Sequence, residues 1–208
     1  MRYDLIILDL DGTLADSFPF FTSVHNQLAE RYGFRRIDGA DIETLRGQSA
    51  REVMRHVGLP RWKLPAVARR FVHLMRAAEI PLFDGIGDAL HQLHGRGVAL
   101  ALVSSNAADN CRRILGDEHW RQLVHVECGA SIFGKRRRIE RVLKATRTPR
   151  ERALYVGDQI TDAEAAHAAG VAFCAVAWGY ATPESLRAAN PRHLLRNARE
   201  LAAICDGG

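Results

Sequence analysis

The 208-residue chain has only four cysteines, Cys111, Cys128, Cys174 and Cys205, and no two of them form a CxxC pair. None stands at zinc-finger spacing from a histidine, and the nine histidines form no HxH or HExxH set. The common zinc signatures and a CxxC redox motif are therefore excluded, and the cysteines read as small buried hydrophobes in a reducing cytoplasm. No stretch approaches the ~18 consecutive apolar residues of a membrane span. The opening MRYDLIILDLDG carries an acid at position 4 and an apolar run too short for a signal peptide. A cytoplasmic protein without a membrane partner is expected. Internal repeats, low-complexity tracts and Gly/Ser linkers are absent as well. Lysine is scarce, with Lys63, Lys135 and Lys144 the only three among 29 basic residues.

What is present is apolar. Residues of hydrophobic type make up 47% of the chain, enough for one large domain or for a core with a modest insertion. The net charge of +5 permits nucleic-acid binding and equally suits an enzyme that attracts small anions. The one dense charge run is KRRR at 135–138, continued by Arg141, Lys144 and Arg147. No aromatics are interleaved with it to stack bases, so a solvated helix face is the favoured reading and nucleic acid is disfavoured as a partner.

Short apolar runs at Tyr3–Leu8, Val98–Val103, Val124–Cys128, Ala153–Val156 and Val171–Val176 read as strands buried on both faces. Helical patterns at Ile86–His94, Ala108–Leu115, Arg138–Ala145 and Thr161–Ala168 alternate with them, which predicts an α/β fold with a Rossmann-like parallel sheet. Residues 14–83 break the rhythm. They carry helical signals alone, from Pro19 to Tyr32, at Ile42–Arg46, in SAREVMRHVG and at Ala66–Ala78, with Ser49 and Glu52 as a capping box and Gly58 as a stop. A parallel crossover needs far fewer residues. The predicted organisation is thus a core of 1–13 and 84–208 with a helical cap of 14–83 inserted, hinged near Leu14–Ser17 and Leu82–Gly85. Asp16 and Ser17 are expected to cap the first cap helix.

The acids come at strand ends. Alternation along LIILDLDGT places Asp9 and Asp11 on one side, with Gly12 allowing a sharp turn. Two close carboxylates repel unless a cation is near. Ligands of open parallel sheets bind outside the carboxyl ends of the strands. Those ends also carry Ser104 and Ser105, Lys135, and Asp158 with Asp162. Such a set suits phosphoryl transfer. Asp9 can attack phosphorus, Asp11 can protonate the leaving oxygen and then activate water, and Ser104 and Lys135 can hold the phosphoryl oxygens. Mg²⁺ can take Asp9, the Asp11 carbonyl and Asp158 as ligands. Ser104 can equally cap the next helix, and Asp162 can equally be a first-turn helix acid.

DLDGT at 9–13, followed by Leu14, Ala15, Asp16 and Ser17, resembles the first motif of haloacid dehalogenase superfamily phosphatases. Ser104 after ALALV resembles their second motif, Lys135 their third and GDQITD at 157–162 their fourth. The tail AGVAFCAVAWGYATPESLRAANP is similar to the phosphoglycolate phosphatase branch. The resemblance implies Asp9 as nucleophile, Asp11 as acid/base, Ser104 and Lys135 on the phosphoryl group, and Asp158 on Mg²⁺ with Asp162 supporting. It further implies a small phosphorylated metabolite as substrate. Arginines follow Lys135 where relatives often carry proline, Gln159 stands where a small hydroxyl residue is common, and Ser105 replaces a frequent asparagine. Gly12, Thr13, Ser105 and Asn106 are candidate phosphate contacts beside the motifs. In the cap, Arg46, Gly47, Gln48 and Arg51 around LRGQS are candidates for substrate recognition. A β-phosphoglucomutase or inorganic pyrophosphatase on the same scaffold is the alternative activity, and a non-catalytic nucleic-acid-binding or regulatory protein the alternative class.

Overall fold

Apolar runs too short for helices form one six-stranded sheet in the computed structural model, which describes residues 3–39, 41, 50–129 and 134–204. The strands are β1 (Leu5–Leu8), β2 (Ala99–Val103), β3 (Leu123–Glu127), β4 (Ala153–Gly157), β5 (Ala172–Val176) and β6 (His193–Leu195). Their order is β3-β2-β1-β4-β5-β6, and all five pairings are parallel. Five strands agree with the predicted runs to within two residues. The sixth was not anticipated, because HLL is three residues at the sheet edge and too short to display a period.

Helices cover both faces, which explains why the strands read as continuous hydrophobic runs. Ile6, Leu8, Leu100, Leu102, Leu154 and Val156 point to one face, against Leu90 and Leu93 of α4 (Ile86–Gly95) and Ile114 and Leu115 of α5 (Ala108–Gln122). Leu5, Ile7, Tyr155 and Phe173 point to the other, against Ile139 and Val142 of α6 (Lys135–Thr146) and Ala163 and Ala166 of α7 (Ile160–Ala169). Two short helices, α8 (Pro183–Ala188) and α9 (Glu200–Ala203), flank β6. The result is a three-layer α/β/α arrangement of Rossmann type.

Between β1 and α4 the described elements other than isolated bridges are all helical: α1 (Phe18–Tyr32), α2 (Ala50–His56), a 3₁₀ turn at Arg61–Lys63 and α3 (Leu64–Arg76). Val24, Leu28 and Val67 form a separate apolar cluster there, with Phe20 and Phe71 packed against it. The two connections into this insertion pair with each other. Ala15 bridges Leu82 antiparallel, the Asp16 N–H donates to the Pro81 carbonyl at 2.9 Å, and the Phe83 N–H to the Leu14 carbonyl at 2.9 Å. Arg113 of α5 also donates to the Met75 and Ala78 carbonyls at the end of α3.

The expected cap of α1 by Asp16 and Ser17 is not found. Ser17 is the N-cap residue but lies in helical conformation, and its hydroxyl pairs with the Tyr180 hydroxyl at 2.7 Å. Pro19 in the first turn has no N–H to satisfy, so a side-chain cap has less to do. Ile42–Arg46 and Ser49 of the expected capping box lie outside the described residues. Among the described residues no helix is long and apolar enough to cross a membrane.

Ile6, fully buried in the strand that pairs on both sides, tests the frame. Ile6→Ala is expected to lower unfolding free energy by about 2–5 kcal/mol, measured by urea denaturation. A loss below about 1 kcal/mol would contradict this packing.

Candidate active site

In the sheet order, β1 is where the chain reverses direction, with β2 on one side and β4 on the other. The crevice outside the carboxyl ends of such strands is where ligands bind. The Asp9 N–H still donates to the Val156 carbonyl at 3.0 Å, so Asp9 extends the sheet. The chain then tightens into a turn in which the Leu14 and Ala15 N–H groups both donate to the Leu10 carbonyl at 2.9 Å. Gly12 sits at φ +78°, and a Cβ there would overlap the Asp158 carboxylate and the Tyr180 ring.

Asp9 and Asp158, the latter just beyond β4, meet Asp162 in the first turn of α7, with one carboxylate oxygen of each within 4.8 Å of the others. All three are buried, at 4%, 0% and 0% exposure. Lys135, at the start of α6, donates to Asp9 Oδ2 at 2.9 Å and to Asp162 Oδ1. Of the roles weighed for Asp162, that of a first-turn helix acid is met, since its Oδ2 also accepts from the Gln159 N–H at 3.0 Å in a capping box. Asp158 accepts from the Thr13 hydroxyl at 3.1 Å and from the Tyr180 N–H at 2.7 Å.

Burial sets the proton affinities. It pushes the Asp9 carboxyl up to about 7, against the pull of Lys135 and with help from Asp162 and Asp11. Burial likewise raises Asp158 well above the usual carboxylate range, reinforced by Asp162 and Asp9. Asp11 is raised by burial too, with Ser17 and Asn106 opposing, and its Oδ1 is buried without a hydrogen-bond partner among the described residues. Lys135 moves the other way. Burial alone would lower it, but the Asp162 and Asp9 carboxylates outweigh that and hold the ammonium charged.

Ser104 is fully buried at the end of β2. Its hydroxyl accepts from the Asn106 N–H at 3.0 Å, a local turn, while the N-cap position of α5 is Ala107. Ser105 is exposed and Asn106 half-buried at the same edge. Arg138 departs from the expected solvated face. It is buried, and its guanidinium donates to the Ser104 carbonyl at 3.0 Å and the Gly129 carbonyl at 2.8 Å, tying α6 to the loops after β2 and β3. Nothing in the arginine run distinguished position 138 from its neighbours except its place one helical turn after Lys135, on the same face.

The sequence reading also passed over the loop after β5. Trp178 donates to the Thr13 carbonyl at 3.0 Å, and Gly179 lets that loop pass so near Asp158 that a Cβ would overlap its side chain. WGY stands beyond the predicted strand Val171–Val176 and carries no charged group to mark it. Arg46, Gly47 and Gln48 lie outside the described residues, and of the Arg51 side chain nothing is described.

Comparison with known proteins agrees with this geometry. Residues 6–176 match the model of the haloacid dehalogenase-like hydrolases. The chain belongs to that family. A phosphoglycolate phosphatase of Synechococcus elongatus is 35% identical to this hydrolase over 201 residues, 94% of either chain. A 5'-nucleotidase of Pseudomonas aeruginosa is 29% identical over 215 residues, 99% of this chain and 97% of that one. A haloacid dehalogenase-like hydrolase of Streptococcus pneumoniae, 20% identical, shares the fold with a TM-score of 0.84 over 97% of each chain. Family and relatives make this hydrolase an enzyme of the phosphatase kind.

The three crowded carboxylates of this hydrolase, with one lysine among them, fit a hard divalent cation with oxygen ligands. In the metal-free protein Asp9 binds its proton up to about pH 7, against an ordinary value of 3.8. The stability this contributes is present in full below the ordinary value and is lost as pH rises through about 7. A cation competes with that proton. The gain in melting temperature from Mg²⁺ over chelator is therefore expected to be larger at about pH 8 than at about pH 6, and an equal or reversed gain would contradict it. For Arg138→Met, which leaves two carbonyls without their donor, a stability loss of about 2–4 kcal/mol is expected in urea denaturation, against under about 0.5 for a solvated arginine.

Proposed function

We propose that this chain is a Mg²⁺-dependent phosphatase that hydrolyses a small phosphomonoester in the cytoplasm through an aspartyl-phosphate on Asp9, with phosphoglycolate as the leading substrate. The carrying observation is the 2.9 Å contact of Lys135 with Asp9 in the buried crevice at the strand ends. It sets a charged ammonium against a carboxylate whose proton affinity burial raises, and it offers phosphoryl oxygens a fixed positive charge. The identity to the Synechococcus phosphatase supports the substrate class.

In this reading an Asp9 oxygen attacks phosphorus, and Asp11 gives its proton to the leaving alkoxide. Burial, which raises Asp11, favours the protonated form this step needs. Asp11 then takes a proton from water, which attacks phosphorus, releases phosphate and restores Asp9. Ser104 and Lys135 hold the phosphoryl oxygens, while Gly12, Thr13, Ser105 and Asn106 line their approach. Mg²⁺, held by Asp9 and Asp158 with Asp162 in support, supplies neutralisation of phosphoryl charge when bound. Residues 14–83 act as a lid that excludes water.

Phosphate release from phosphoglycolate, sugar phosphates, nucleotides and pyrophosphate, with Mg²⁺ and with chelator, tests this. One preferred, Mg²⁺-dependent substrate is expected, with its turnover reduced ~10³-fold or more in Asp9→Asn. Undiminished turnover in that variant would sink the covalent route. A rearranged sugar phosphate without free phosphate would replace hydrolysis by mutase chemistry.

A further inference from the structure

Two cysteines lie side by side behind the Ser104 loop, and the phosphatase chemistry uses neither. Cys111, in the first turns of α5, is buried, and Cys128, the residue after β3, is half-buried. Both are free thiols with their sulfurs 3.4 Å apart. Sequence spacing concealed this, since sixteen residues of helix and strand separate them (112–127). Sulfurs in contact need no large movement of the chain to bond, which a disulfide between distant thiols would demand. Forming one brings the sulfurs to about 2.05 Å, a closure of little more than an ångström.

We propose that Cys111 and Cys128 are a site of reversible oxidation, closed to a disulfide by a hydroperoxide, and that closure slows the phosphatase. Cys128 is the attacking sulfur because it is the more accessible of the two. Its contact with the Cys111 thiol, aided by the Arg138 guanidinium, favours its thiolate against partial burial and Glu127. The thiolate takes the terminal oxygen of the hydroperoxide. An S–O bond forms, the O–O bond breaks, and the alkoxide leaves to become an alcohol, or water when the oxidant is hydrogen peroxide. The Cys111 sulfur then attacks the Cys128 sulfur. An S–S bond forms, the S–O bond breaks, and hydroxide leaves with the Cys111 proton as water. Two thiols and one hydroperoxide thus give one disulfide, one alcohol and one water, and a small dithiol reverses the change.

Position supplies the consequence. Cys128 precedes Gly129, whose N–H donates to the Asn106 carbonyl at 2.9 Å and whose carbonyl is held by Arg138. The Cys111 N–H donates to the Ala107 carbonyl at 3.0 Å. The two cysteines therefore grip residues 104–107 from both sides, and drawing them together displaces the Ser104 hydroxyl. A misplacement of about 1 Å at a reacting centre can cost about a hundredfold in rate. The effect on rate rests on the phosphatase reading, whereas disulfide formation does not.

The test treats the reduced full chain with hydrogen peroxide and follows peptide mass under non-reducing conditions alongside phosphate release. A cross-link between the Cys111 and Cys128 peptides is expected, with a fall in rate of ~10-fold or more that dithiothreitol reverses. In Cys111→Ser no cross-link forms, and a sulfenic acid on Cys128 becomes trappable with dimedone. The Cys111→Ser, Cys128→Ser double variant should keep its rate under peroxide. Both thiols remaining open to alkylation after peroxide would overturn the site. A cross-linked chain with unchanged rate, or an equal loss in the double variant, would overturn the control of activity. Were the untreated chain silent on every phosphate ester, the phosphatase reading would fail and the cross-link would still decide the oxidation site.

Discussion

Repulsion among buried carboxylates is the constraint on which the rest of this molecule depends. Asp9, Asp158 and Asp162 place oxygens within 4.8 Å of one another, and among the described residues Lys135 is the cation that pairs with Asp9 and Asp162. Left in water, such groups would move apart. Here each is fixed by a different element, so the crowding is carried by the frame: Asp9 by the extension of β1, Asp158 by the Thr13 hydroxyl and Tyr180 N–H, and Asp162 by its own helix cap. Raised proton affinities at Asp9 and Asp158 are the electrostatic signature of that confinement. A site under this tension favours whatever brings positive charge, and a metal-bound phosphate ester is the proposed occupant.

The helical insertion reaches this cluster through aromatic contacts. Tyr180, whose N–H holds Asp158, packs its ring 5.3 Å from Phe18 and 6.1 Å from Phe21 of α1, and Phe21 stacks on Phe71 of α3 at 5.6 Å. The Ser17 hydroxyl completes the link at 2.7 Å. Any shift of α1 is therefore felt by the loop that orients a carboxylate of the cluster. On the opposite flank, Arg138 and the Cys111–Cys128 pair brace the loop that carries Ser104.

Much of this was legible in the sequence for a definite reason. Strands buried on both faces leave unbroken apolar runs, and their carboxyl ends are marked by acids, a serine and a scarce lysine that no turn requires. Asp9, Asp158, Asp162 and Lys135 indeed meet in one crevice. What escaped depends on partners distant in sequence. Arg138 looked solvated because burial of one arginine among three is decided by the Ser104 and Gly129 carbonyls, which no local pattern reveals. Ser17 looked like a helix cap because the hydroxyl it prefers belongs to Tyr180, 163 positions away. β6 was invisible because three edge residues display no period.

The most direct measurement is calorimetric titration of Mg²⁺ into the purified chain and into Asp158→Asn, at a pH above 7. If the acid cluster is the cation site, the chain should bind one Mg²⁺ and the variant, still folded by circular dichroism, should lose that binding or weaken it by at least about tenfold. Equal affinity in the two proteins would show that the crowded carboxylates serve the fold alone, and would contradict the proposed chemistry at its root.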